Sequence, residues 1–534
     1  MTTAQQETIE GTETGKKTTM ALVAVFLTYF VYSYFFQILL AAFPKMAADL
    51  DGMSLYSWGV AIPSLGLAFS MLITGKLSDL YGRRAVLIGL LAVCLLGAFW
   101  CAFASNFVML IIARTFLSIG QGGLAPLCFS VLGDMYEGGE RSRWIGLLNI
   151  PAGGFALIGP TLGGWFTDHL SWRYIFWCGA PLLVLSLLMV LFCLPSRSQR
   201  TKPRIDSTGA LLAAIASSTM ILAFSMAGSM YPWMSKQVLG LLGVSIIVWV
   251  IFIRAEKGAE EPIMDLQVLK NRAFITLSSA GLFSAFGLVG LAYYYPLLME
   301  GVQGVTTTGT GQIMTPGNVL MNFLGVPTGF ILARTKRYKW IFISSYALTL
   351  AIMIFLTFFN ASTPVSWGFM AFTLAGLGMG SIPTLNTLVA QYAVPKRLLG
   401  VAMGTLYFSV MIGQALAPAI LGSAMNMTYN STLQKSLPAE VTQLADQATM
   451  KSLGNSRVLL SESGMETLRK SINKISSNGP AVLQQTVSAI RLSLEASLRM
   501  VFIIGAIAML LTFLIILTIP EISIDAKVED KKAP

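Results

Sequence analysis

The chain has 534 residues, 55% hydrophobic and 11% charged, with a mean hydropathy of +0.69. Soluble domains carry roughly 25% charged residues, so most of this chain is not built to meet water. Its formal charge of +11 does not mark a nucleic-acid binder, because the cations sit in short loops between apolar runs, and no nucleic-acid partner is expected.

Taken in order, a polar tail with Lys16 and Lys17 precedes the first apolar run, Ala21–Ala42, which is too long for a signal-peptide core and is read as a retained span. About 20 apolar residues cross a bilayer as a helix. That ruler gives five more spans, at Tyr56–Gly75, Ala85–Ala104, Phe107–Leu132, Trp144–Phe166 and Tyr174–Leu194. A basic linker with Arg197, Arg200, Lys202 and Arg204 leads to Thr208–Ala227 and the shorter Val238–Ile253. The last six are Phe274–Leu298, Gly311–Ala333, Trp340–Phe359, Val365–Ala390, Leu399–Met425 and Met500–Ile519. The reading is therefore an all-α integral membrane protein of 14 transmembrane helices, two six-helix bundles plus two inserted helices. Its divisions are a tail at 1–18, a first bundle at 19–195, a linker and extra pair at 196–255, a second bundle at 256–519 and a tail at 520–534.

An even number of spans leaves both termini on one side. The tails and the turns after even-numbered spans hold 24 lysines and arginines, against Lys45, Arg173 and Lys236 in the opposite short loops. The positive-inside rule then places both termini in the cytoplasm of a multi-pass cell-membrane protein. One long loop departs from the short connections. In 427–495, Met465, Leu468, Ile472 and Ile475 share a helical face, as do Leu483, Val487, Ile490, Leu494 and Leu498, which predicts an extracellular amphipathic hairpin whose last helix runs into the final span.

Five cysteines, Cys94, Cys101, Cys128, Cys178 and Cys193, all fall in apolar runs without metal-ligand spacing, and His169 is the single histidine. These argue against a metal site or a histidine relay, and the lack of a Walker loop argues against ATP-driven pumping. No catalytic residue and no cofactor are expected.

The turn between spans 2 and 3, Gly75-Lys-Leu-Ser-Asp79-Leu-Tyr-Gly82-Arg83-Arg84, has glycines for a tight reversal and one carboxylate among cations. Such a carboxylate suits a neighbouring helix N-terminus or an arginine. The pattern resembles the signature loop of major facilitator superfamily transporters. A worn copy at Gly329–Lys339 has Ala333 where the first has Asp79. Arg114, the only charge deep in any of the fourteen runs, resembles the span-4 arginine of that superfamily and should face a polar interior or a partner. In span 5, Gly159-Pro160-Thr-Leu-Gly163-Gly164 permits close packing and a bend, and resembles the exporters' motif, with Phe155 in place of an earlier glycine. Ser171–Phe176, Glu261–Phe274 and Thr315-Pro316-Gly317 resemble the fourteen-span drug:proton antiporter branch. That branch often carries an acidic residue in span 1, where this chain has Phe35.

No aspartate or glutamate lies near the middle of any of the fourteen runs. What span 1 offers is aromatic: Tyr29, Tyr32, Ser33, Phe36 and Gln37 share a face, and Tyr293, Tyr294 and Tyr295 cluster in span 9. Gln121, Asn149, Asn318, Asn322, Asn386, Gln391 and Gln414 are polar groups that either orient a ligand or join helices.

The resemblance implies a monomeric secondary transporter of small molecules in the lipid bilayer, rocking by alternating access. The expected cargo is amphipathic or aromatic compounds, moved outward, with Asp79 latching the cytoplasmic side through Arg141 or Arg143 and the start of span 13 near Arg397–Gly400. Two alternatives stand: an anionic or neutral metabolite or lipid held by Arg114, and a receptor or scaffold on a transporter fold.

Overall fold

The computed structural model describes residues 3–52, 55–195, 207–227, 231–258, 266–438, 441, 466, 469 and 479–521. Among them the secondary structure is helical, apart from one isolated bridge between Ala227 and Tyr231. The helices are α1 (Thr3–Asp49), α2 (Tyr56–Tyr81), α3 (Arg83–Ala102), α4 (Phe107–Gly122), α5 (Leu124–Met135), α6 (Gly138–His169) and α7 (Arg173–Cys193). Next come α8 (Ser207–Met226), α9 (Lys236–Gly258), α10 (Leu266–Lys270), α11 (Arg272–Val289), α12 (Tyr295–Leu297), α13 (Thr307–Phe323) and α14 (Gly325–Thr335). The chain closes with α15 (Lys339–Leu356), α16 (Val365–Met379), α17 (Ile382–Ala393), α18 (Leu399–Ser436) and α19 (Gly479–Leu517).

Twelve of the described helical stretches are long and apolar enough to cross a membrane, not the fourteen expected. The two expected runs outside these twelve are Thr208–Ala227 and Gly311–Ala333. In α8 the apolar part is only Leu211–Met226, about 24 Å at 1.5 Å per residue against a hydrocarbon core of about 30 Å. The run expected at Gly311–Ala333 is divided at Leu324 into α13 and α14. Pro327 accounts for the division, since it has no N–H for the Phe323 carbonyl and its ring clashes with that carbonyl. The same offset recurs: Pro126 stands three residues after the α4–α5 break at Gly123, and Pro383 three after the α16–α17 break at Gly380. Span 9 is interrupted differently, by π-helical turns at Gly290–Tyr294 and Leu298–Val302 on either side of α12.

Helices α1–α7 pack as one half and α11–α19 as the other. Two seams join them: α2 lies on α18, and α6 lies on α13 and α14, with α5 also against α18. Helix α8 touches both α2 and α18, covering the first seam with its own small apolar cluster of Ala68, Leu72, Ala213, Ile221, Phe252 and Phe408. The indole of Trp233, between α8 and α9, donates to Ser423 Oγ on α18 at 2.6 Å.

Helices α18 and α19 overrun the bilayer. The 38 residues of α18 span about 57 Å, nearly twice a hydrocarbon core. On α19, Ile490, Leu494 and Leu498 of the expected amphipathic face are fully buried, while Leu483 and Val487 are half-buried. This end of α19 packs on α18 and on the π-turn at Leu298–Val302, and Glu495 accepts from the Ala361 N–H. The other expected limb, Met465 to Ile475, lies outside the described residues.

Close helix approach rests on glycines whose replacement would collide with backbone. A Cβ at Gly376 would lie 2.1 Å from the Gly317 carbonyl oxygen, whereas one at Gly240 on α9 meets nothing within 4 Å. Gly376→Val is expected to destabilise the protein by about 1–3 kcal/mol or more. Gly240→Ala should leave it unchanged or slightly more stable. Thermal denaturation in detergent compares the two, and equal melting temperatures would contradict the packing described.

Candidate functional site

The first seam closes where α2 ends. Gly75 sits on the backbone of α18: a Cβ there would be 2.3 Å from Gly400 O, and one at Gly400 would be 2.3 Å from Gly75 O. One turn later the Asp79 carboxylate accepts from the Gly400 N–H at 3.1 Å and the Val401 N–H at 2.9 Å. These are first-turn amides of α18, unpaired within the helix and at the positive end of its dipole, where a carboxylate binds best. Arg83 closes the arrangement, with Nη1 2.5 Å from Asp79 Oδ1 and Nε donating to Asp134 Oδ2 at 3.0 Å. Asp79 and Arg83 are largely buried, at 8% and 13% side-chain exposure, so the pair is little screened by salt. Gly82, at φ 88°, supplies the turn that brings Arg83 back over Asp79. Arg84 bonds the Leu191 carbonyl at the end of α7.

The expected partner of Asp79 is thus corrected. Arg141 donates to the Tyr136 and Gly133 carbonyls at 2.9 and 2.7 Å and lies over the Tyr392 ring, while Arg143 lies over Phe330. Both cations belong to the second seam, where Ala333 stands in the place of Asp79. There a Cβ at Gly329 would be 2.4 Å from Ser142 O, Ala333 packs on Gly139, and Ser142 Oγ and Tyr392 Oη are 3.2 Å apart.

Moving inward, the seams are bridged by Gln391 Nε2 to Phe129 O at 2.8 Å and Asn149 Nδ2 to Thr384 Oγ1 at 3.1 Å. Above these lies an aromatic ladder. Phe36 stacks on Tyr32 at 5.7 Å and Tyr32 on Tyr29 at 5.6 Å; Tyr29 meets Phe129 edge-on at 5.4 Å. Phe129 then stacks on Tyr407 of the other half at 5.8 Å and 17°. The ladder grades from Phe36, 44% exposed, to Tyr29, 7% exposed. Farther along, a Cβ at Gly154 or Gly164 on α6, or at Gly311 on α13, would meet nothing within 4 Å. The result is two halves pressed together at the Asp79 end, with the aromatic ladder as a floor that crosses from one half to the other.

The remaining expected residues distribute as follows. Arg114 Nη1 donates to Gly59 O at 3.3 Å and its guanidinium lies 4.2 Å over Phe43, both within the first half. Phe35 is 1% exposed and packed on Phe176, in a notch left by Gly179. Gly159 admits Gln37, since a Cβ would lie 2.9 Å from Gln37 Cβ; Gly163 is buried, and Pro160 is exposed on the same helix. Phe155 packs against Phe30 and Tyr34 at ring distances of 4.7 and 5.6 Å. Gln121 is buried with Nε2 unpartnered. Tyr294 Oη donates to Pro418 O at 3.5 Å; Asn322 bonds the Asn318 carbonyl; Asn386 is buried on α17. Gln414 is half-buried on α18, its carbonyl released by Pro418 four residues on. Phe129 and Tyr407 were missed, being single rings in apolar runs with nothing in the sequence to pair them.

Comparison with known proteins fits this geometry. A family model, Major Facilitator Superfamily, matches residues 25–418, and the chain belongs to that superfamily. It is a multi-pass membrane transporter and not an enzyme. The chain is 30% identical over 439 residues to the multidrug transporter protein MdtP of Bacillus subtilis (strain 168), covering 81% of each. It is 28% identical over 448 residues to the efflux pump FUS6 of Gibberella fujikuroi, covering 82% of this chain and 80% of the relative. Among solved structures it is similar in fold to the proton:xylose symporter XylE bound to 6-bromo-6-deoxy-D-glucose. The TM-score there is 0.56 at 13% identity, over 95% of this chain and 97% of the other.

Asp79→Asn removes the charge that α18 and Arg83 share. With nitroxide labels at Tyr81→Cys and Thr335→Cys, one on each half, the distance distribution is expected to broaden to longer values in the variant. An unchanged distribution would show that Asp79 does not hold this end shut.

Proposed function

We propose that this protein is a secondary exporter that carries amphipathic, aromatic small molecules across the cell membrane by alternating access. The observation that carries the reading is the ladder Phe36–Tyr32–Tyr29–Phe129–Tyr407, which begins in an exposed position and crosses from one half to the other. Ring faces bind planar apolar groups and attract cations, and a ligand wedged between Phe129 and Tyr407 feels any relative motion of the halves. The relatives named multidrug transporter and efflux pump support export, and the cation-rich loops support placing the Asp79 end and both termini in the cytoplasm. On this reading the α13–α14 pair and α8 also cross the membrane, giving fourteen spans in the six, two and six division. Rocking of residues 21–194 against 274–519 then breaks the Asp79 contacts and opens the floor to the other side. Proton movement, where it accompanies transport, uses a group other than a span-1 carboxylate, since Phe35 stands there.

Arg114 enters the mechanism as a brace within the first half, tied to a backbone carbonyl and a ring. Arg114→Ala is accordingly expected to lower stability alike for acidic and cationic cargo rather than to remove one class selectively.

Truncating Tyr407 or Phe129 to alanine should weaken binding of a planar dye by about 0.5–1.5 kcal/mol per lost ring pair, roughly 2- to 12-fold in Kd, with Tyr407→Phe close to the parent. Dye binding by fluorescence and dye counterflow in proteoliposomes measure this. Full affinity in both alanine variants would remove the ladder from the site and with it the case for aromatic cargo.

A further inference from the structure

Helix α17 reaches both of the rings that meet across the first seam. Thr387 Oγ1 lies 3.4 Å from Tyr407 Oη on α18, within the same half. One turn on, Gln391 Nε2 donates to the Phe129 carbonyl on α5, in the other half, at 2.8 Å, and lies 3.5 Å from Met403 Sδ on α18. Gln391 is 2% exposed, and its Oε1 is buried with no hydrogen-bond partner among the described residues. Gly133, one turn after Phe129 on α5, leaves the room for this amide: a Cβ there would lie 2.7 Å from Gln391 Oε1.

The two polar atoms of Gln391 pull in opposite directions. The Nε2 bond exists only while α5 lies against α17, so it favours the closed seam. A buried acceptor without a donor is costly, and water that enters on opening satisfies Oε1, so this atom favours the open seam. An apolar side chain of the same size would fill the space beside Gly133 equally well, so filling space does not account for an amide here.

The rings follow the same movement. Phe129 and Tyr407 are stacked at 5.8 Å and 17°, on helices of different halves. A planar molecule enters between two stacked rings only by displacing one of them. Displacing Phe129 from Tyr407 also draws the Phe129 carbonyl away from Gln391.

We propose that Gln391 is a positioning residue that drives cargo release, an inference that rests on the aromatic ladder being the cargo site. Cargo between the rings and the Gln391–Phe129 bond exclude each other. When the Asp79 end shuts, the amide regains the carbonyl, the rings restack, and cargo is displaced toward the opposite face. Without the bond, cargo is held more tightly and leaves more slowly.

The test uses the full-length protein with ethidium as the planar probe, binding being read by fluorescence and turnover by counterflow in proteoliposomes. Gln391→Met keeps the volume and removes both polar atoms. It is expected to tighten ethidium binding by roughly 2- to 12-fold, the worth of one hydrogen bond, and to slow turnover, so that KM and kcat fall together. A residue that merely holds helices together would instead weaken binding when replaced. Gly133→Ala, which displaces the amide without altering it, should act in the same direction and decides the matter if Gln391→Met does not fold. Unchanged or weaker binding in the folded variants, with Phe129→Ala and Tyr407→Ala weakened, would overturn this proposal alone. If the parent does not bind ethidium, or binds it no better than those two alanine variants, the ladder reading fails and this proposal with it.

Discussion

Everything at the closed end depends on a carboxylate that reaches across the seam between the halves. Asp79 belongs to α2, yet its two amide donors belong to α18 and its arginine partner to α3. Three helices thus meet on one small charged group, largely removed from water, where such bonds are strong and where leaving any member unpaired is costly. The contact forms only because Gly75 and Gly400 let the two backbones touch. A side chain at either position would push α18 out of the carboxylate's reach. Charge and shape at this point are therefore one constraint.

The second seam shows the same approach with no counterpart of Asp79. Gly146 and Gly329 repeat the close approach, but Ala333 occupies the place of Asp79 and the contacts are backbone, hydroxyl and ring. The two seams are accordingly unequal, one joined through a buried carboxylate and the other not, and α8 lies over the Asp79 side, touching both halves. The proline-centred breaks at Gly123, Leu324 and Gly380 place short stretches of unpaired carbonyls beside these seams, where a helix can bend without unfolding.

Much of this was readable from the residues because lipid imposes strict rules on a chain. Long apolar runs must be helices, since every backbone group in hydrocarbon needs an internal partner, and the cations collect in the turns for electrostatic reasons. Asp79 stood out as the one acid in a basic turn. Arg83, four residues on, was the nearer cation, but whether it turns back over Asp79 is decided by the turn at Gly82, and that was not read from the sequence. Phe129 and Tyr407, 278 positions apart, carry no mutual signal and meet only through the packing of α5 on α18. The division of the expected span at Gly311–Ala333 was legible in principle: Pro327 marks it, by the offset that also marks Gly123 and Gly380. Length alone had hidden it.

The central claim is that the aromatic floor meets one compartment at rest and the other only when the Asp79 end opens. Labelling of a single cysteine at position 36, in a protein whose own five cysteines are replaced, measures this in sealed vesicles with a membrane-impermeant thiol reagent. The account expects rapid labelling from the face opposite the Asp79 end and protection from the Asp79 face, with protection lost in Asp79→Asn. Equal labelling from both faces at rest, or from the Asp79 face alone, would contradict it.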